Sequence, residues 1–496
     1  MTLLSARRML AACILSSAMA VAMAVALAAP GAASAESLGE QCSGETPIKG
    51  RGSTFQDAAE LVWDPMFNEY KSKPNKNVAA CGGTQGGKKI IKVEYLEKEK
   101  EDRGSGACLK AFGAGTAPGE KAKTGKFAFC GTDEAPNAAQ RKEMESHKEG
   151  AENESIESIP VAQGAEAVMV HLPTGCTASS EVAGAGNRLA LKAQTLEGIY
   201  RGTITKWSQI TDNGDKLAGG SCNPEETIKR IVRLDKSGTT HIFKEFLAEA
   251  SENTKLEEVS FEAEEFGEPE AGKGDPCKAV LPPESKTWGE VASGCENQRW
   301  PKGATPVVRP VNSGNQGVIE TVGADPSSIG YGDLAQVRPS FGTGAGTEKF
   351  WVEVQHNFEA KKPTAAATYG DPSSDGESAT AAESNCAGTV FINGKEKFPP
   401  KSTRALWNAV RAKIKESKYS ICGLTYDLVL DEGSKYNKEN ESNLTLGGAT
   451  SAVDFELWIQ NTAAGGGASV IKKHDYEPLP DPIADKAEEG LKEVIF

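Results

Sequence analysis

The sequence predicts an α/β fold, and three observations carry the prediction. Runs with strand character alternate with runs of helical periodicity along the chain. Several of the strand-like runs end in loops of glycine, hydroxyl and carboxylate residues, and the region beyond a strand's carboxyl end is where open α/β sheets bind ligands. The length, 496 residues, exceeds what one hydrophobic core commonly organises, so two or more lobes are expected.

The chain opens with Arg7 and Arg8 before an Ala-rich apolar run, Met9 to Ala29, and Ala33-Ser34-Ala35 precedes Glu36. That order of basic, apolar and small residues predicts an export signal over residues 1–35, cleaved after Ala35. An uncleaved anchor is the alternative, since the apolar run is long. Leu10-Ala11-Ala12-Cys13 imitates a lipoprotein box, but it precedes the apolar run, so no lipid is expected on Cys13. No later segment reads as a membrane span.

Gly50-Arg51-Gly52-Ser53-Thr54-Phe55 follows a short strand-like run and opens a helical pattern with Phe55, Ala59, Val62 and Met66 on one face. Pro65 is expected to end or kink that helix. Gly82 to Lys89 nearly spells a phosphate-binding P-loop. However, Lys89 stands where Ser or Thr would hold magnesium, and the loop precedes a strand, so nucleotide binding is not expected. The strand-like Ile90 to Leu96 leads to Gly104-Ser105-Gly106 and an apolar helical stretch. Phe127 to Asp133 reads as a short apolar strand ending in the polar pair Thr132-Asp133.

The strongest local signal is Arg233-Leu234-Asp235-Lys236-Ser237-Gly238-Thr239-Thr240. The strand-like Ile228 to Val232 enters it, and a helix with Ile242, Phe243, Phe246 and Leu247 on one face leaves it. N–H groups in a first helical turn lack intrahelical acceptors and favour an anion. Arg233 adds a planar fork that fits a phosphate or carboxylate edge. Alone, the segment also reads as an ordinary N-cap beside a surface ion pair; the three earlier loops of complementary type favour a composite anion site. Further on, the acidic run Glu257 to Glu270 reads as a solvated insertion. Lys362 to Ser384, rich in Ala, Ser, Thr, Gly and Pro, reads as a mobile surface loop.

The net charge is −14, and loss of residues 1–35 removes two cations and no acid. An acidic chain argues against nucleic acid as a partner, but not against an anion held by local dipoles and hydrogen bonds. Cleavage removes Cys13 and leaves ten of the eleven cysteines, an even number that predicts disulfides in an exported protein. Sequence leaves their connectivity open; neighbour pairing is the expectation, namely Cys42–Cys81, Cys108–Cys130, Cys176–Cys222, Cys277–Cys295 and Cys386–Cys422. The five histidines form no H-E-x-x-H, so no metal or other cofactor is expected. Gly104-Ser105-Gly106 lacks the flanks of a nucleophile elbow, and His241 lies at a helix start, which disfavours a serine hydrolase. Trp207 and Tyr331 read as packing residues.

These pieces, taken in order, resemble the phosphate-specific substrate-binding proteins of bacterial ABC importers, the PstS family. The resemblance runs through Gly52-Ser53-Thr54-Phe55, Gly104-Ser105-Gly106, Thr132-Asp133-Glu134-Ala135-Pro136, Ile159-Pro160-Val161-Ala162, Leu196 to Gly202, Ile204-Thr205-Lys206-Trp207 and Arg233 to Thr240. It continues through Gly314-Asn315-Gln316-Gly317-Val318, Ser328-Ile329-Gly330-Tyr331, Gly423-Leu424-Thr425-Tyr426 and Tyr476 to Asp481. It implies a two-lobed periplasmic-binding-protein fold with a hinge and an anion site between the lobes. Residues 36–165 and 400–496 would form one lobe and 166–399 the other.

The resemblance further implies a non-enzymatic monomer that binds inorganic phosphate and delivers it to the permease subunits of an ABC importer, from the periplasm or the cell surface. Thr54 and Phe55 would bind through backbone N–H groups, and Ser105 through its hydroxyl and N–H. Ser237, Gly238 and Thr239 would supply a helix N-terminus, and Arg233, held by Asp235, would meet the oxyanion. Ser53 would support the site. Asp133 would discriminate, because an ionised carboxylate only accepts and so suits a ligand that carries a P–OH proton. Lys236 departs from the pattern, which commonly has a small residue there. The alternatives are a phosphate-ester hydrolase of the same fold, and a surface or sensory protein for another oxyanion such as tungstate.

Overall fold

The computed structural model describes residues 47–68, 84–85, 88–89, 92–95, 104–114, 127–146, 156–182, 185–251, 254–256, 259–260, 286–293, 297–301, 306–342, 346–357, 367–376, 383–386, 391–392, 402–408, 410–411, 418–430 and 446–494. The expected export signal and the pairs Cys42–Cys81 and Cys277–Cys295 lie outside them, as does nearly all of the acidic run.

One ten-stranded sheet organises these residues. Its strands are β1 (Ile48–Gly52), β2 (Val93–Tyr95), β3 (Phe129–Thr132), β4 (Ile156–His171), β5 (Lys229–Ile231), β6 (Val307–Val308), β7 (Ser328–Asp333), β8 (Lys349–Trp351), β9 (Cys422–Leu430) and β10 (Tyr476–Glu477). The order is β6-β5-β7-β4-β9-β3-β1-β2, with β8 and β10 also paired to β4. Two parallel clusters result. In one, β1 runs parallel to β2 and β3; in the other, β5 runs parallel to β6 and β7.

The long strands β4 and β9 join the clusters by antiparallel pairing. All 16 residues of β4 are buried, as expected of a strand covered on both faces. Up to Ala165, β4 pairs with β9; from Glu166 it pairs with β7. The β4–β9 register slips beside Pro160, with Thr425 opposite Ala162 and Tyr426 opposite Pro160. Proline has no N–H to give a ladder, and bulges gather at such positions.

The helices that carry the site follow strand ends: α1 (Asp57–Asn68), α2 (Ser105–Ala111), α3 (Gly238–Ala250), α4 (Gly314–Ala324) and α5 (Leu334–Phe341). The expected inward face of α3, with Ile242, Phe243, Phe246 and Leu247, is buried. The expected face of α1 needs correction. Phe55 and Ala59 are buried, but they are joined by Trp63 and Phe67, while Val62 is half-buried and Met66 is exposed. The aromatic residues win because each has a partner: Trp63 Nε1 donates to the Gly467 carbonyl at 3.0 Å, and Phe67 meets Phe455 edge-on at 5.0 Å. Nor does Pro65 end the helix, which runs through it to Asn68. Pro65, Leu61 and Met66 are all exposed, so water can satisfy a carbonyl that loses its intrahelical donor.

The near-P-loop segment forms a small hairpin, Thr84–Gln85 against Lys88–Lys89, and leads into no helix. The segment expected to be a mobile loop is in part tied down. Tyr369–Gly370 pairs with Glu353–Gln355, Asp371 binds Arg188 at 2.7 Å, and Ser373 accepts from Arg338. Ser373 and Ser384 are buried, so alanine- and serine-rich composition masks two buried arginine partners. Three expected disulfides form: Cys108–Cys130, Cys176–Cys222 and Cys386–Cys422. Among the described residues no helix is long and apolar enough to cross a membrane.

Candidate anion-binding site

The loops after β1, β3 and β5 and the starts of α2 and α4 converge at the carboxyl ends of the parallel strands. Asp133, just after β3, lies at their centre and is 4% exposed. Its carboxylate accepts from Ser53 Oγ at 2.5 and 2.6 Å, Thr425 Oγ1 at 2.8 Å and Ser105 Oγ at 3.2 Å. These are three hydroxyl protons on a group with about four lone-pair sites. Ser105 Oγ also accepts from the N–H groups of Asp133 at 3.0 Å and Gly238 at 3.1 Å, linking the two parallel clusters. The Cys108–Cys130 bridge ties α2, which starts at Ser105, to β3, which ends beside Asp133.

Arg233 occupies the opposite side. Its Nε and Nη2 grip Asp235, Nε at 2.9 Å, while Nη1 donates to Thr239 Oγ1 at 3.0 Å and Asn315 Oδ1 at 2.7 Å. Four of the five guanidinium N–H bonds are thereby directed, and one Nη2 hydrogen is left over. Asp235 is itself held by the Gly314 N–H at 3.0 Å. Gly104, with φ of 91°, lets the chain pass against Asp235, where a Cβ would come within 2.4 Å of its Oδ2.

Ser237 caps α3 by accepting from the Thr240 N–H at 3.2 Å, and its own N–H goes to Asn297 Oδ1 at 3.0 Å. The helix N-terminus therefore faces Asp133 and Ser105 through Gly238. The Phe55 N–H is turned onto Ser53 Oγ at 3.0 Å, and Thr54 Oγ1 accepts from the Asn315 N–H at 3.4 Å. The structure thus gathers Ser53, Thr54, Phe55, Ser105, Asp133, Arg233, Asp235, Ser237, Gly238 and Thr239 into one linked network. The chain between β6 and α4 carries Val311, which is 95% exposed.

Burial dominates the electrostatics. It raises the Asp133 carboxyl to about 6, against the hydroxyls of Ser53, Thr425 and Ser105 and the charge of Arg233, which all pull the other way. Burial also holds Glu166 and Asp333, which face each other across β4 and β7, well above the carboxylate range. Behind the site, burial raises Glu60, Asp427 and Glu456 as well. Further out, Asp215 rises to about 6, and Glu353 and Glu477 to about 7.

Each of these groups binds its proton more tightly folded than unfolded. The stability they contribute is complete below the unfolded carboxyl range and is lost as pH rises through about 6 to 7. Scanning calorimetry of the protein alone is expected to show Tm falling between about pH 5 and about pH 8. A Tm that climbed over that interval would mean these carboxyls ionise freely in the folded state.

Sequence reasoning missed four contributors. Thr425, Asn315, Gln56 and Tyr331 all reach the network; three of them stand in segments that carried the family resemblance, and Gln56 directly adjoins one. Tyr331 does pack, stacked on Phe243 at 4.4 Å, but its hydroxyl also bonds Thr240 Oγ1 at 2.6 Å. Trp207 packs as expected, with its Nε1 on Ser327 Oγ at 2.9 Å. His241 is directed to the Ala292 carbonyl at 3.3 Å and Ser293 Oγ at 3.1 Å, so it forms no pair with Ser105. Lys236 is half-buried, and its carbonyl accepts the Gly106 N–H at 3.2 Å.

Two parallel strand clusters joined by long crossing strands, with hydroxyl, carboxylate and guanidinium groups gathered at the strand ends, define a two-lobed binding-protein fold. The chain belongs to the PBP superfamily: the family model described as the PBP superfamily domain matches residues 46–397. Among solved structures it is similar to a phosphate binding protein from Stenotrophomonas maltophilia, at 16% identity and a TM-score of 0.51, covering 90% of this chain and 93% of that one. A second structure of a phosphate-binding protein from that organism gives 15% identity and a TM-score of 0.50, over 90% of this chain and 94% of that one. At these identities the likeness is one of fold. No curated protein matches the chain.

Proposed function

We propose that this protein binds inorganic phosphate outside the cytoplasm and delivers it to the membrane subunits of an ABC-type importer. The observation that carries the reading is Asp133, a buried carboxylate that takes three hydroxyl protons beside the N-terminus of α3 and across from Arg233. Such a group has room for about one more proton, which a phosphate ligand bears and sulfate at neutral pH does not. Sulfate would set acceptor against acceptor in a dry site. The phosphate-binding proteins from Stenotrophomonas maltophilia that share the fold support the same ligand.

In this reading the ligand meets Thr54, Phe55, Ser105 and Asp133 from one lobe and Arg233, Ser237, Gly238 and Thr239 from the other. The lobes are residues 36–165 with 400–496, and 166–399. The change of partner along β4 between Ala165 and Glu166 supports that division. Closure of the lobes expels water and strengthens the hydrogen bonds, as hinge closure does in periplasmic binding proteins. The protein works as an exported monomer without a cofactor. A hydrolase is the weaker reading, since His241 is turned away from Ser105. Tungstate, like sulfate, carries no proton for Asp133. Calorimetric titration of the mature chain with phosphate and sulfate at neutral pH tests the proposal, with phosphate expected to bind at least about a hundredfold more tightly.

A further inference from the structure

Thr425 lies on β9, 292 residues from Asp133 in sequence, and its side chain is fully buried. Its hydroxyl stands 2.8 Å from Asp133 Oδ1 and 2.9 Å from Gln56 Oε1. One hydroxyl has one proton, so it serves one of these acceptors at a time. Gln56 gains most by keeping its amide nitrogen away from Thr425, because two carboxyl groups on the other side accept from it. Its Nε2 is committed to Glu60 Oε1 at 2.9 Å and to the Asp427 carboxyl at 3.0 Å, which leaves Oε1 facing Thr425. The register slip beside Pro160 falls at Thr425/Tyr426, and bulges of this kind re-aim side chains next to functional sites.

We propose that Thr425 is a specificity-determining residue of the anion site, whose single hydroxyl proton, shared between Asp133 and Gln56, decides whether Asp133 meets the ligand as a pure acceptor. The proposal rests on the phosphate-binding reading above and assigns the control of that site's selectivity. With the Thr425 proton on Asp133, the ionised carboxylate carries three hydroxyl donors and keeps one place for the ligand's P–OH. When Asp133 is protonated, Thr425 turns its proton to Gln56 and its oxygen can receive the Asp133 proton. The acid proton is then absorbed inside the protein and is not offered to a proton-free anion. Without the Thr425 hydroxyl both effects disappear. The carboxylate loses a donor and ionises less readily, and its protonated form loses the one hydroxyl on Oδ1 that can turn its own proton away to Gln56, so more of the acid proton is left for the ligand.

Other groups also face Asp133. Arg233 favours its charge, and the Glu166, Asp333 and Asp427 carboxyls and the Tyr95, Tyr426 and Tyr476 phenols stand close enough to be raised by it or to interact with it. All of them are present in a Thr425 variant, so a comparison with the parent isolates the hydroxyl. The titration of free phosphate is likewise common to both.

The test is calorimetric titration with inorganic phosphate and with sulfate from about pH 5 to about pH 8 for the parent, Thr425→Val and Thr425→Ser. Phosphate affinity falls on the acid side as Asp133 takes up its proton. In Thr425→Val the midpoint of that fall is expected to move up by about 1–2 pH units, the worth of one hydrogen bond to a charged group. Sulfate binding, measured near pH 6, is expected to gain at least about tenfold relative to phosphate. Thr425→Ser keeps a hydroxyl and should follow the parent. Should the valine variant not fold, Thr425→Ala removes the same hydroxyl with less bulk and reads the same shift. A parent that selects phosphate, together with valine and alanine variants whose midpoints do not move, overturns the role of Thr425 and leaves the phosphate-binding reading standing. A folded parent that binds no phosphate overturns both.

Discussion

Arg233→Met is expected to weaken phosphate binding by about 2–5 kcal/mol, the range for truncating one partner of a buried, hydrogen-bonded charge pair. Arg233 is 2% exposed, and its guanidinium plane is fixed on three sides by Asp235, Thr239 and Asn315. The variant removes the cation nearest the proposed ligand and leaves the Asp235 carboxylate as an uncompensated negative charge beside it. Lys236→Ala is the matched control. Lys236 is half-buried three residues along the same loop, and its loss should cost less than that of Arg233, which carries the buried bonds to Asp235, Thr239 and Asn315. Calorimetry showing the larger loss for Lys236 would mean that the wrong cation has been assigned to the ligand.

Gly238→Pro is expected to weaken binding by about 3 kcal/mol or more, from the loss of a donor to a charged group and from overpacking. A Cβ on Gly238 would lie 2.4 Å from Ser105 Oγ and 2.5 Å from Asp133 Cβ, so the start of α3 could not approach Ser105 and Asp133 as it does. Proline also deletes the N–H that reaches Ser105 Oγ, yet it is tolerated in the first turn of a helix, so α3 itself should form. Gly238→Ala separates the two contributions by adding the Cβ and keeping the N–H. If the proline variant folded and bound phosphate like the parent, the segment would be a plain N-cap and the ligand would lie elsewhere.

The parts of this site that were legible in the sequence are local. A strand, a turn of Ser, Gly and Thr, and a helix are all contained in a dozen residues around Ser237, and the capping chemistry that orders them is contained there too. The same holds for Ser53 and Asp133, each just after its own strand, and for Ser105 at the start of α2. Thr425, Gln56 and Asn315 were not legible as site residues, because what gives them a role is a partner far away in sequence. Asn315 matters through Arg233, 82 positions distant, and Gln56 through Asp427, 371 positions distant.

Elsewhere, the expected face of α1 failed because the rings of Phe455 and Trp458 hold Phe67 and the Gly467 carbonyl holds Trp63, in preference to Val62 and Met66. Composition misled for Lys362 to Ser384 for a related reason. Small polar residues usually mark loose chain, but Asp371 and Ser373 are the partners of buried Arg188 and Arg338.

If Asp133 reads the proton of the ligand, the protein separates anions by whether they carry one at neutral pH. The protein titrated at neutral pH with phosphate, arsenate and sulfate should bind phosphate and arsenate with similar affinity, and sulfate at least about a hundredfold more weakly. Sulfate binding equal to that of phosphate would contradict it.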